Sequence, residues 1–179
     1  MRIKPDQNYL FPTRIDIHPD KRTLTINLLN QTLANTIDLK TQVKQAHWNV
    51  KGNDFYQLHL LFDEIARELE EFTDLVAERI TALGGPAFGT TRVVADKSIL
   101  EEYPLDIVDG TDHLIALAER IAVYGRTLRV GIAQSDQIGE KDTNDLYIQL
   151  SRAIDKRLWF LEAHLIGGNN APSNVPIHL

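Results

Sequence analysis

Cysteine is absent from this 179-residue chain, which excludes disulfides, thiolate metal sites and iron–sulfur clusters. Imidazole and carboxylate are then the available metal ligands, a set that suits iron, zinc or manganese better than copper(I). No uninterrupted apolar run approaches the ~18 residues of a membrane span, and no basic segment leading into an apolar core opens the chain. A cytoplasmic protein without membrane contact is expected. A lysine-rich tail is also missing, and the formal net charge is -6 with a pI near 5.5. Binding of nucleic acid over the whole surface is therefore disfavoured, so DNA binding is expected to be weak or absent, with local basic patches still open to it. There is no internal repeat or low-complexity tract.

What is present is an ordinary globular composition, 43% hydrophobic and 25% charged, which predicts a single domain. Residues 1–20, broken by Pro5, Pro12 and Pro19, read as an extended arm that mixes Arg2, Lys4 and Arg14 with Asp6, Asp16 and Asp20. A strap over a neighbouring subunit is preferred to a DNA-binding arm. The body, residues 21–167, carries four stretches of helical periodicity. The first runs from about Thr23 to Val50, with Asp20 or Thr23 as N-cap; the second runs from an Asp54 cap to about Leu83. Gly84, Gly85 and Pro86 end the second helix, and a long connection follows in which Ser98–Tyr103 is expected to form a short helix. The third helix spans about Asp109–Gln134 and the fourth about Asp142–Ile166, with residues 168–179 as a tail. Four amphipathic helices with a long crossover between the second and third describe an all-α, ferritin-like four-helix bundle.

Within the second helix, His59 and Asp63 lie one turn apart on one face, and so do Asp74 and Glu78. The two pairs share a stripe but lie roughly 16 Å apart along the axis, too far for one ion. A second copy packed antiparallel about a two-fold near Glu68 and Leu69 changes that. Each facing pair of residue numbers then has the same total, so His59 meets Glu78 and Asp63 meets Asp74 of the partner, twice. Spacing alone thus predicts a dimer with two shared sites. The usual intrachain di-iron pattern of Glu-x-x-His is not available, because Ile15, Lys44, Tyr56, Gly110, Leu161 and Val175 stand three residues before the six histidines.

The run Lys44–Gly52 (KQAHWNVKG), then His59 and Asp63, Asp74 and Glu78, and Leu83–Gly85 (LGG) closely resembles the Dps family of mini-ferritins, which protect DNA in starved bacterial cells. The likeness continues through Gly89–Thr91 (GTT), Tyr103–Ile107 (YPLDI) and Asp155–Glu162 (DKRLWFLE). It implies a homo-dodecameric hollow shell built from two-fold dimers, ferroxidase centres at those two-folds and ferric mineral in the cavity. By residue matching, His47, His59 and Asp63 come from one subunit and Asp74 and Glu78 from its mate, with iron as the expected metal and zinc compatible with the same donors. The resemblance implies hydrogen peroxide as preferred oxidant. Trp48, next to His47, reads either as an electron donor or radical sink or as interface packing.

It also implies an acidic three-fold pore for iron to reach the cavity, at Asp142 and Asp145. Asp142 competes as an N-cap and Lys141 weakens the funnel, so Asp145 is the better pore position. Glu64, Glu68, Glu70 and Glu71 are expected to face solvent or cavity, and His164 to serve the end of the last helix. His18, His113 and His178 carry no assignment.

Overall fold

The computed structural model describes residues 10–166. Five helices follow one another: α1 (Pro19–Asn49), α2 (Phe55–Ala82), a short α3 (Thr91–Lys97), α4 (Gly110–Ile138) and α5 (Lys141–Leu165). The short connections 50–54 and 139–140 fold α1 against α2 and α4 against α5 as antiparallel hairpins. These hairpins stack, α1 on α4 and α2 on α5. Lys51 N–H donates to the carbonyl of Val108 at 3.0 Å, so α4 starts beside the start of α2 and runs parallel to it. The crossover therefore travels the length of the bundle, as the four-helix reading requires. Among the described residues no helix is long and apolar enough to cross a membrane.

Leu29, Leu33, Leu39, Phe62, Ile65, Leu69, Leu117, Ile121, Leu150 and Ile154 form the centre of the core, all essentially removed from solvent. α1 is also buried on polar positions, and several of these are answered by partners. Thr32 and Thr36 meet the hydroxyls of Tyr147 and Tyr124 at 2.8 and 2.7 Å. The amides of α1 hold the crossover: Asn30 Oδ1 accepts from Phe88 N–H (2.9 Å), Asn35 Oδ1 from Ile99 N–H (3.2 Å), and Gln42 Nε2 donates to the Glu101 carbonyl (3.1 Å). Leu24 and Leu75, although on the expected apolar stripes, remain 57% and 38% exposed.

Several boundaries differ from expectation. The short helix occupies Thr91–Lys97, and Ser98–Tyr103 is not helical. Anchoring of Ile99 and Glu101 to α1 draws that segment out straight, and Tyr103 precedes Pro104, which disfavours helical backbone. α1 begins at Pro19, with the His18 ring accepting from Asp20 N–H, so Asp20 and Thr23 lie inside the helix. The cap of α5 is Glu140, whose carboxylate accepts from the N–H groups of Asp142 (3.3 Å) and Thr143 (2.9 Å); Asp142 is the capped residue, not the cap. α4 also continues past Gln134 to Ile138, ending where Gly139 adopts φ 76°, the left-handed conformation that glycine tolerates. Arm residues 1–9 and tail residues 167–179, with Arg2, Lys4 and His178, lie outside the described residues. Within the described part of the arm, Phe11 N–H donates to the Gly84 carbonyl at 2.7 Å, across the end of α2.

Candidate metal centre

The tight α1–α2 connection sets the last turns of α1, carrying Lys44, His47 and Trp48, beside the first turns of α2, carrying His59 and Asp63. His47 Nδ1 bonds the His59 carbonyl at 2.8 Å, and His59 Nδ1 bonds the His47 carbonyl at 2.8 Å. A carbonyl can only accept, so both Nδ1 atoms carry a proton, and Nε2 is the atom of each ring left for a metal. The two rings stack with centroids 3.8 Å apart and planes 21° from parallel. His47 Nε2 is 4.0 Å from Asp63 Oδ1, with the His47 side chain only 12% exposed. Such outer bonds from ring to carbonyl are how metal-ligating histidines are held in one tautomer.

Asp63 is itself restrained by two cations. Lys44 Nζ donates to Oδ1 at 2.9 Å, and Arg67, one turn on, pairs with Oδ2. The Lys44 bond, followed by that from Arg67, outweighs desolvation and draws the Asp63 carboxyl down to about 2. It is therefore ionised throughout the neutral range. Trp48 stands out at 66% exposure, with Lys44 Nζ 5.7 Å from its ring centroid; its side chain is not core within the chain.

Asp74 and Glu78 lie farther along the outer face of α2, and neither carboxylate has a hydrogen-bond or ion-pair partner among the described residues. One chain thus brings together His47, His59 and Asp63 but not Asp74 and Glu78. Among the described residues no three His, Asp or Glu side chains of one chain gather closely enough to hold a metal ion.

At the start of α5, Asp145 is exposed and Asp142 is 81% exposed, with Asp142 3.7 Å from the Arg79 guanidinium. Arg79 pairs more closely with the buried Glu140, at 2.9 Å. Asp142 is therefore partly neutralised by its own chain, whereas Asp145 has no described partner. Arg157 of α5 holds Glu68 (2.6 Å) and Glu64 (3.4 Å), and Lys40 pairs with Glu70, so these acids are tied into interhelical pairs. His164 bonds the carbonyl of Phe160 at 2.7 Å within the last turn.

The two cations on Asp63 are not evident from the sequence pattern that marks the candidate ligands. The four-residue spacing of Asp63 and Arg67 is a signal for one of them, but Lys44 joins only through the hairpin. Nor does that pattern mark His113, which is 1% exposed and bonded to Tyr103.

The family model for the ferritin-like domain matches residues 26–168. A DNA protection during starvation protein of Agrobacterium fabrum is 41% identical over 153 residues, covering 86% of this chain and 94% of the relative. DpsC from Streptomyces coelicolor has a similar structure, with a TM-score of 0.86 at 30% identity, covering 99% of this chain and 100% of that one. Dps from Microbacterium arborescens, solved in a high iron form, gives 0.78 at 30% identity, covering 83% and 96%. With the hairpin geometry and these likenesses together, the chain belongs to the Dps family within the ferritin-like proteins.

Proposed function

We propose that this protein oxidises ferrous iron at centres shared across a two-fold interface and stores the ferric product inside a homo-dodecameric shell. The carrying observation is the reciprocal lock of His47 and His59, with His47 Nε2 4.0 Å from Asp63, while Asp74 and Glu78 stand unpartnered on the same helix as His59 and Asp63. An antiparallel partner would bring its Asp74 and Glu78 against the histidines, completing a set of two imidazoles and three carboxylates. That donor set fits ferrous and ferric iron, here the substrate, and leaves positions for an oxidant. The high iron form of the Microbacterium arborescens protein supports the same cargo.

Hydrogen peroxide is the proposed oxidant. Two ferrous ions side by side supply both electrons, so peroxide and two protons become two waters and no hydroxyl radical is released. The chain's own groups prepare this: the Nδ1 bonds to the carbonyls turn Nε2 of each histidine away from them, and Asp63 stays ionised. Asp145, helped by Asp142, would draw cations through a three-fold pore. The role is protection against oxidative damage in the cytoplasm.

A shell acting mainly by compacting DNA is the competing reading, favoured by the name of the Agrobacterium relative, but the net charge of -6 weighs against it. Zinc in place of iron is compatible with the same donors. The deciding experiment follows ferrous oxidation with peroxide and with oxygen in wild type, His59→Ala and Asp74→Ala. Loss in both variants supports the shared centre; equal rates in all three remove it. A gel shift across salt concentrations tests DNA, and strong retardation at physiological salt would reverse the ranking.

A further inference from the structure

Tyr103 and His113 form a buried pair for which the ferroxidase site has no use. Tyr103 is 8% exposed and His113 1%, and the phenol oxygen lies 2.7 Å from His113 Nδ1. His113 Nε2 is buried without a partner among the described residues. The other two buried tyrosines, Tyr124 and Tyr147, bond the hydroxyls of Thr36 and Thr32, which are no bases. Among the described buried tyrosines only Tyr103 has an imidazole against its phenol.

That difference governs redox behaviour. A tyrosine that loses an electron becomes so acidic that oxidation is easy only if a base can take the proton in the same step. Burial pushes the Tyr103 phenol well above its ordinary value, against a small opposing effect of Arg120, so the phenolate route is closed at neutral pH. Burial likewise keeps His113 neutral and able to accept, while Asp112 and Asp109 favour the protonated ring.

The pair also sits close to where oxidants would arise. The edge of Phe62 meets the His113 ring, centroids 6.5 Å apart, and Phe62 lies between His59 and Asp63 on α2. Phe62, buried on α2, is the contact between the pair and the helix that carries His59 and Asp63.

We propose that Tyr103, with His113 taking its phenolic proton, is an electron donor that quenches one-electron oxidants formed beside His59 and Asp63. This rests on the ferroxidase reading. When peroxide meets a centre holding one ferrous ion, the O–O bond breaks to give ferric iron, hydroxide and a hydroxyl radical. The radical takes an electron from Tyr103 and becomes a second hydroxide. The phenolic O–H bond breaks, its proton passes to Nδ1, and a neutral tyrosyl radical faces an imidazolium. A second ferrous ion then returns the electron, the proton moves back, and the sum is two ferrous ions oxidised by one peroxide.

The test adds peroxide to the assembled protein carrying one ferrous ion per centre, with freeze-quench electron paramagnetic resonance and a hydroxyl-radical spin trap. Wild type and Tyr124→Phe should give a tyrosyl signal. Tyr103→Phe, which keeps the ring, should lose it and raise the trapped radical severalfold. His113→Asn, which keeps an acceptor but no base, should weaken the signal. In a second arm, azidyl radicals from pulse radiolysis oxidise the metal-free protein; the hole should settle on Tyr103 in wild type and stay on tryptophan in Tyr103→Phe. Failure to oxidise iron, with the second arm intact, would overturn the ferroxidase reading and leave the redox pair standing. A tyrosyl signal unchanged in Tyr103→Phe, or oxidation of the half-loaded centre with no tyrosyl radical, overturns the proposal.

Discussion

His47 and His59 each give their Nδ1 proton to the other's backbone carbonyl, at 2.8 Å in both directions, and their rings stack, so removing one ring leaves the other's hydrogen bond in place but strips it of its stacking partner. His59→Ala should therefore cost one ligand together with the ring that packs against His47. Binding of cobalt(II), followed by calorimetry or its visible spectrum, is expected to weaken by at least about tenfold, as for loss of an orienting partner. Folding stability should fall by about 1 kcal/mol for the lost hydrogen bond. Unchanged cobalt affinity would show that the pair is only a staple between α1 and α2.

Asp63 cannot serve a metal with both oxygens while Lys44 and Arg67 hold them. Arg67→Leu should tighten cobalt or zinc binding severalfold by removing a competitor. The Arg67 side chain is 70% exposed, so thermal stability should hardly move. Weaker binding in this variant would mean that Arg67 organises the carboxylate for metal instead of competing with it.

Glu140 ties two helices together, capping α5 and pairing with Arg79 of α2. Burial raises its carboxyl, but bonds from Thr143 and Arg79 outweigh this and hold it below the ordinary 4.5. A lowered carboxylate stabilises in full above its unfolded value and loses that contribution as pH falls through the lowered folded value. Thermal melts from pH 6 down to about 3 should thus drop more steeply in wild type than in Glu140→Gln. At neutral pH the variant, which strands a half-buried guanidinium, should be less stable by about 2 kcal/mol.

His113 should give an acid response at milder pH. Burial lowers it below 6.5, with Asp112 and Asp109 opposing in smaller measure. The unfolded chain takes up this proton first, so stability declines as pH falls below the unfolded value and levels off once the folded histidine titrates. His113→Gln should flatten the wild-type decline between about pH 7 and 5 in a melting series. An unaltered slope would place that decline on other groups.

The shared stripe of His59, Asp63, Asp74 and Glu78 on α2 needs only helical periodicity, which is why that face is legible in the sequence; its antiparallel pairing across a two-fold belongs to the proposal. The long crossover is legible too, from Gly84, Gly85 and Pro86 and the distance to the next periodic stretch. The position of α3 is not. It depends on Asn35 and Gln42 seizing the backbone at Ile99 and Glu101, contacts between segments far apart in the chain. His47 enters the site through resemblance, since its place beside His59 is set by the turn at 50–54 and not by spacing. Lys44, the Arg79–Glu140 pair and Tyr103 with His113 are hidden for the same reason: each joins residues of different elements.

The central claim is that each centre draws ligands from two subunits, and mixing subunits tests it most directly. His59→Ala and Asp74→Ala chains, each inactive as a homo-oligomer, are unfolded together in equal amounts and reassembled, and peroxide-driven ferrous oxidation is measured. In a mixed dimer one centre receives His59 from one chain and Asp74 from the other, and the second centre receives neither. Random pairing should then restore about a quarter of the wild-type rate. No recovery from a mixture shown to contain mixed dimers would contradict a centre shared across the two-fold.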